Sequence, residues 1–164
     1  MKHILIITAL LFSVQMFAQE EVLRPEKTLK IAIDASNYYT TDLDESYYQQ
    51  DENSFQVYVE DVVFVELELK KKKVISLTVV EENTNPERTV VFDFSQKTKG
   101  ALHQAMILRV TNPFEYSLTF STEKMGIDEL WSPTKVGYFQ PNMLGYEYWN
   151  EIIASLLISD IKLK

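Results

Sequence analysis

The chain has 164 residues, with 16 Lys and Arg against 24 Asp and Glu, only four glycines and no cysteine. Without cysteine there is no disulfide, no thiolate nucleophile, no Cys-ligated zinc or iron–sulfur centre and no acylated cysteine to hold a lipoprotein in a membrane. A net charge of −8 sets the surface against phosphate backbones and anionic lipid headgroups, so nucleic acid is excluded as the expected partner.

Residues 1–18 read as a secretory signal peptide. Lys2 and His3 make a charged start, Ile4 to Phe12 is an apolar run, and small Ala18 precedes Gln19. The run is too short to span a bilayer, which takes about 20 residues, so no transmembrane segment is expected. Cleavage leaves residues 19–164 as one domain with enough chain for a real core. It also leaves 15 Lys and Arg against 24 Asp and Glu. Export without cysteine points to a bacterial protein, periplasmic or secreted.

Period-two alternation then recurs along the chain, which is the strand signal. It runs through Leu29, Ile31 and Ile33, through Phe55, Val57 and Val59, and through Val63, Val65, Leu67 and Leu69. It resumes at Ile75, Leu77 and Val79, over Thr89–Phe94, Ala105–Val110 and Tyr116–Phe120. The loop Lys71-Lys72-Lys73 is expected to close a hairpin with Lys70 against Val74, Leu69 against Ile75, Leu67 against Leu77 and Val65 against Val79. That register puts both apolar sets on one face. Thr84-Asn85-Pro86-Glu87 marks a turn, and Asn112-Pro113 is expected to join 104–111 and 115–121 as a second hairpin. The final segment fits helical spacing at Trp149, Ile152, Ile153 and Leu156, but its alternation favours a strand over 155–163.

Two stretches lack that pattern, 35–54 and 122–150, and are expected to be long aromatic-rich loops. The first holds Asp42, Asp44, Glu45 and Asp51, oxygen donors of the kind a calcium ion takes. The repeated-Asp motif and its turn glycine are missing, so a solvated acidic loop is the simpler reading. The second stretch gathers Trp131, Tyr138, Phe139, Tyr146, Tyr148 and Trp149. Flat rings of this sort stack on sugar faces or anchor a protein partner, and they equally well serve as satellite core.

Little else in the chain carries chemistry. His103 is the single histidine after residue 18, and no Gly-x-Ser-x-Gly accompanies any serine. The scattered glycines make no phosphate-cradling loop, and no cofactor is expected. Acidic pairs such as Glu60-Asp61, Glu81-Glu82 and Asp128-Glu129 do not converge by themselves, since neighbours on a strand face opposite ways. The tetralysine is the polar tip a hairpin normally carries.

The run Met106-Ile107-Leu108-Arg109-Val110-Thr111-Asn112-Pro113, followed by Leu118-Thr119-Phe120, resembles a hairpin common in immunoglobulin-like domains of bacterial envelope proteins. The resemblance covers under a tenth of the chain. It favours a single antiparallel β-sandwich of immunoglobulin-like arrangement over a barrel. The expected function is non-enzymatic binding of an envelope protein or glycan. The alternatives are a small-ligand carrier with an aromatic pocket and a carboxylate-dependent glycoside hydrolase.

Overall fold

The computed structural model describes residues 21–164, so the signal-peptide reading of residues 1–18 lies outside the described residues. Every element there is a strand. In chain order these are β1 (Leu23–Arg24), β2 (Lys27–Ala32), β3 (Tyr38–Leu43), β4 (Ser46–Tyr47), β5 (Gln49–Asp51), β6 (Ser54–Tyr58) and β7 (Asp61–Lys70). They continue with β8 (Lys73–Val80), β9 (Thr89–Lys99), β10 (Leu102–Asn112), β11 (Leu118–Met125), β12 (Trp131–Thr134), β13 (Met143–Trp149) and β14 (Ser155–Leu163).

Two five-stranded antiparallel sheets dominate. Sheet one has the order β13-β10-β9-β7-β8, and sheet two β12-β11-β14-β6-β5. Their inner faces share one core, an arrangement compatible with a β-sandwich. Phe92 of sheet one meets Phe55 and Phe120 of sheet two edge to face, with ring centroids 4.9 and 5.4 Å apart. Four consecutive strands, β7 to β10, lie in sheet one. A constant-type immunoglobulin domain instead keeps no more than two consecutive strands in one sheet before the chain crosses. The small β2–β3 hairpin adds buried Leu29 and Ile31 to the core, and Gln96 fastens its end by bonding both the N–H and the carbonyl of Ala32 at 2.9 and 2.7 Å.

The hairpin β7–β8 forms, with Leu67 against Leu77 and Val65 against Val79 as the alternation requires. Its tip differs. Lys70 pairs with Lys73, so the loop is Lys71-Lys72, with Lys71 at φ 60. Leu69 then meets Val74, and a bulge follows before Glu68 meets Ser76. The tight turn takes one residue fewer than expected, the bulge absorbs the difference, and Ile75 is left 48% exposed.

The second expected hairpin does not form. β10 and β11 belong to different sheets, and 113–117 carries the chain across the core. Buried Asn112 decides this. Its side-chain oxygen accepts from the Phe114 N–H at 3.1 Å and its amide donates to the Tyr116 carbonyl at 2.8 Å. The turn's polar groups are satisfied there while Phe114 enters the core. Pro113 supplies no N–H for a ladder back along β10.

The two expected loops are also largely strand. The 35–54 stretch contains β3, β4 and β5, and 122–150 contains β12 and β13. In β13 the pattern is inverted, with Gly145 and Glu147 on the inner side and Tyr146 and Tyr148 outside, so an apolar-inward rule misses a strand that aromatic β-propensity supports. The C-terminal strand runs over Ser155–Leu163 as the alternation indicates.

Candidate functional site

The six aromatic candidates separate by strand parity. Phe139 and Trp149 are buried. Phe139 stacks on Phe120 with centroids 5.4 Å apart, and it lies under Gly145, where an added Cβ would come within 2.5 Å of its ring. Trp149 packs edge-on against Phe94 and donates its indole N–H to the Thr134 hydroxyl at 3.0 Å. These two rings are core, and they tie β13 to β12 and to the segment that follows it.

The other four are exposed. Tyr146 and Tyr148 stand side by side on the outer face of β13, with centroids 6.1 Å apart and planes 19° from parallel. Register places Arg109 beside Tyr146 and Ile107 beside Tyr148 on β10. Arg109 is held at 2.5 Å by Asp93 of β9, and Val62 of β7 lies next in that row. The result is a shelf of two rings on the outer sheet face, extended along β13 by exposed Leu144 and bordered by the Arg109–Asp93 pair, with exposed Val62 beyond it. Tyr138 lies elsewhere, with its hydroxyl 2.9 Å from Lys164 Nζ. Trp131 lies on edge strand β12, beside a cavity of about 510 Å3 that it shares with Ile127, Leu130 and the ion-paired Lys124 and Glu151.

The acidic candidates are not gathered. No group of three or more His, Asp or Glu side chains is placed to hold a metal among the described residues. Asp42 accepts from the Thr28 hydroxyl at 2.7 Å, and Asp51 caps the Asn53 N–H at 2.7 Å. That backbone bond, with a second from the Ser54 side chain, holds the Asp51 carboxyl below its ordinary value. The Asp44 and Glu45 side chains are exposed beside β4. His103 is half-buried. Its Nε2–H donates to the Asn150 carbonyl at 3.1 Å and its Nδ1 accepts from Gln96 at 2.8 Å, the tautomer these partners require.

A polar cluster not anticipated from the sequence sits beneath β1 and β4. The Arg24 guanidinium is buried, bonds the Asp44 carbonyl at 2.5 Å and the Ser46 hydroxyl at 2.9 Å, and lies over the Tyr58 ring at 4.9 Å. Buried Asp61 accepts from Lys27 at 2.5 Å and from the Tyr58 N–H at 2.8 Å. Half-buried Tyr48 lies between these charges, and burial, then Asp61, pushes its phenol up to about 12. Nothing local in the sequence marks Arg24, Lys27 and Asp61 as partners, because 34 positions separate Lys27 from Asp61. The cluster fixes the N-terminal strands to the main sheets. Set beside known protein families, curated proteins and solved structures, the chain matches none of them.

Proposed function

We propose that this chain is an exported, non-enzymatic binding domain that takes a protein or glycan partner in the bacterial cell envelope on the outer face of sheet one. The observation that carries the reading is the Tyr146–Tyr148 pair, stacked and open to solvent on an edge strand. Two near-parallel rings offer a flat, stiff, apolar area that loses little conformational freedom on binding. Exposed Leu144, two positions along the same face of β13, enlarges the apolar area, the kind of surface that marks an interaction site. The Arg109–Asp93 pair beside the rings offers a donor and an acceptor for orienting the partner. The immunoglobulin-like part of the reading rests on the two facing antiparallel sheets alone, since the Met106–Phe120 run crosses between them and closes no hairpin.

Glycan arrays and capture from envelope extracts test it. Tyr146→Ala and Tyr148→Ala should lose the partner while the melting temperature stays nearly unchanged. Partner binding that survives the double variant would sink this surface as the site.

A second reading, the small-ligand carrier, draws on the cavity beside Trp131. The six aromatics do not share it, and Trp131 alone among them lines it. Quenching or shift of Trp131 fluorescence by a ligand, lost in Trp131→Phe, would favour that reading over the sheet face.

A further inference from the structure

The four-lysine hairpin tip is not simply a solvated end. It converges with the C-terminal strand on a cavity of about 540 Å3, the size of an ordinary small-ligand site. Lys72 and Lys73 line it from one side, and Lys162 and Lys164 from the other. Asp160 is the single acidic side chain in its wall, against four lysines. Its floor is apolar, made by Leu77, Ile161 and Leu163.

None of these lysines joins an ion pair among the described residues. Two of them are placed by aromatic rings instead. Lys72 lies 4.3 Å over Tyr116, and Lys164 lies 4.9 Å over Tyr138 while donating to its hydroxyl. Backbone bonds in both directions between Lys164 and Ser117, at 2.9 and 3.1 Å, hold the end of the chain in place. Ring contacts orient an ammonium without neutralising it. Lys72 and Lys164 are therefore held at the rim by rings and not by carboxylates.

The charge contrast is steep. Setting aside Lys70 to Lys73, Lys162 and Lys164, residues 19–164 hold nine Lys and Arg against 24 Asp and Glu. An extended polyanion or an anionic bilayer that reached this end would meet the acidic remainder of the molecule. A compact anion would not. We infer that the cavity between the Lys72–Lys73 tip and Lys162–Lys164 is a binding site for a small acidic saccharide of one or two rings. Its anionic groups meet the lysines, its C–H faces meet Leu77, Ile161 and Leu163, and its hydroxyls meet Asp160 and Asn53, which also line the wall. The site is separate from the Tyr146–Tyr148 face and does not depend on it.

Titration of the protein with digalacturonate, followed by calorimetry, tests the inference. Saturable binding that weakens as salt rises is expected, with the neutral methyl ester bound far more weakly. K72Q/K73Q and K162Q/K164Q should each weaken binding by about tenfold, the scale of losing charge-assisted contacts. K162R/K164R should retain it. K97Q/K99Q, at the opposite end of sheet one, and Y146A/Y148A should leave it unchanged. All these side chains are exposed, so unchanged melts will show that the variants are folded. Glucose 6-phosphate binding more tightly than digalacturonate, and lost in the same variants, would support the site with phosphate as its preferred anion. Absence of saturable binding by either sugar, equal binding of the methyl ester, equal loss in K97Q/K99Q, or binding confined to phosphatidylglycerol vesicles would each overturn it.

Discussion

The Asn112 amide nitrogen lies 2.8, 3.0 and 3.1 Å from the carbonyls of Tyr116, Gln140 and Phe139, inside a fully buried site. It therefore holds the 113–117 crossing against the segment that delivers Phe139. Asn112→Ala removes the bonds to these carbonyls and to the Phe114 N–H from a buried site and should cost ~3 kcal/mol, read by denaturant unfolding. The aromatic residues divide in the same kind of experiment. Phe139→Ala and Trp149→Ala should each lose about 3–5 kcal/mol, as buried rings do, whereas Tyr146→Ala and Tyr148→Ala should stay within about 0.5 kcal/mol, as exposed substitutions do. Gly145→Ala should also destabilise, because its Cβ would meet the Phe139 ring at 2.5 Å. The sequence marks these rings as a group. Strand parity separates them, and parity in β13 was not legible because its inner positions are Gly145 and Glu147.

The β7–β8 hairpin shows how far alternation reaches. Val63, Val65, Leu67, Leu77 and Val79 all point into the core, as their spacing indicates. Leu67→Ala and Leu77→Ala should cost roughly 2–5 kcal/mol by chemical denaturation, and Ile75→Ala on the bulge far less. The two outward glutamates are not equivalent. Glu66 accepts from Asn85 at 2.6 Å and pairs with Arg88 at 3.5 Å, so it anchors the 81–88 loop that crosses β7 between β8 and β9. Glu68 accepts from the Ser76 hydroxyl at 3.1 Å. Glu66→Ala should therefore cost about 1–2 kcal/mol more than Glu68→Ala. Side chains bridge the edges of the two main sheets. Gln49 of β5 bonds the Leu77 carbonyl at 3.3 Å and the Val79 N–H at 3.2 Å, covering the free edge of β8. Gln49→Ala should speed amide exchange at Val79 before it changes the global melt.

At the scale of the molecule, the Arg24–Lys27–Asp61 cluster couples the N-terminal strands to the main sheets and gives stability an alkaline limit. The Tyr48 phenol rises from 10.0 to about 12, first through burial and then through the Asp61 charge, with Arg24 opposing. A group whose folded pKa is raised contributes stability that is fully present below its unfolded pKa and is lost as pH rises through the folded one. Unfolding midpoints should therefore fall between pH 10 and about 12, and fall less in Tyr48→Phe. Asp34 works in the opposite sense. The Asn37 side chain, then the Ser36 N–H, lowers its pKa, so its small contribution is present above the ordinary value of 3.8 and disappears as pH falls below it.

The sequence by itself determined that the protein is all-β, where its long strands lie and which faces of β7 and β8 are buried, because those properties follow from a period of two within one segment. It also marked the lysine tip and the group of six aromatics. Only the tertiary structure decided that β10 and β11 part into different sheets, that Phe139 and Trp149 turn inward while Tyr146 and Tyr148 turn outward, and that Lys72 and Lys164 share a cavity. These are facts about segments as far apart as the hairpin tip and the last strand. No local pattern encodes which distant edge a strand will lie beside, since that choice is made by the packing of a common core.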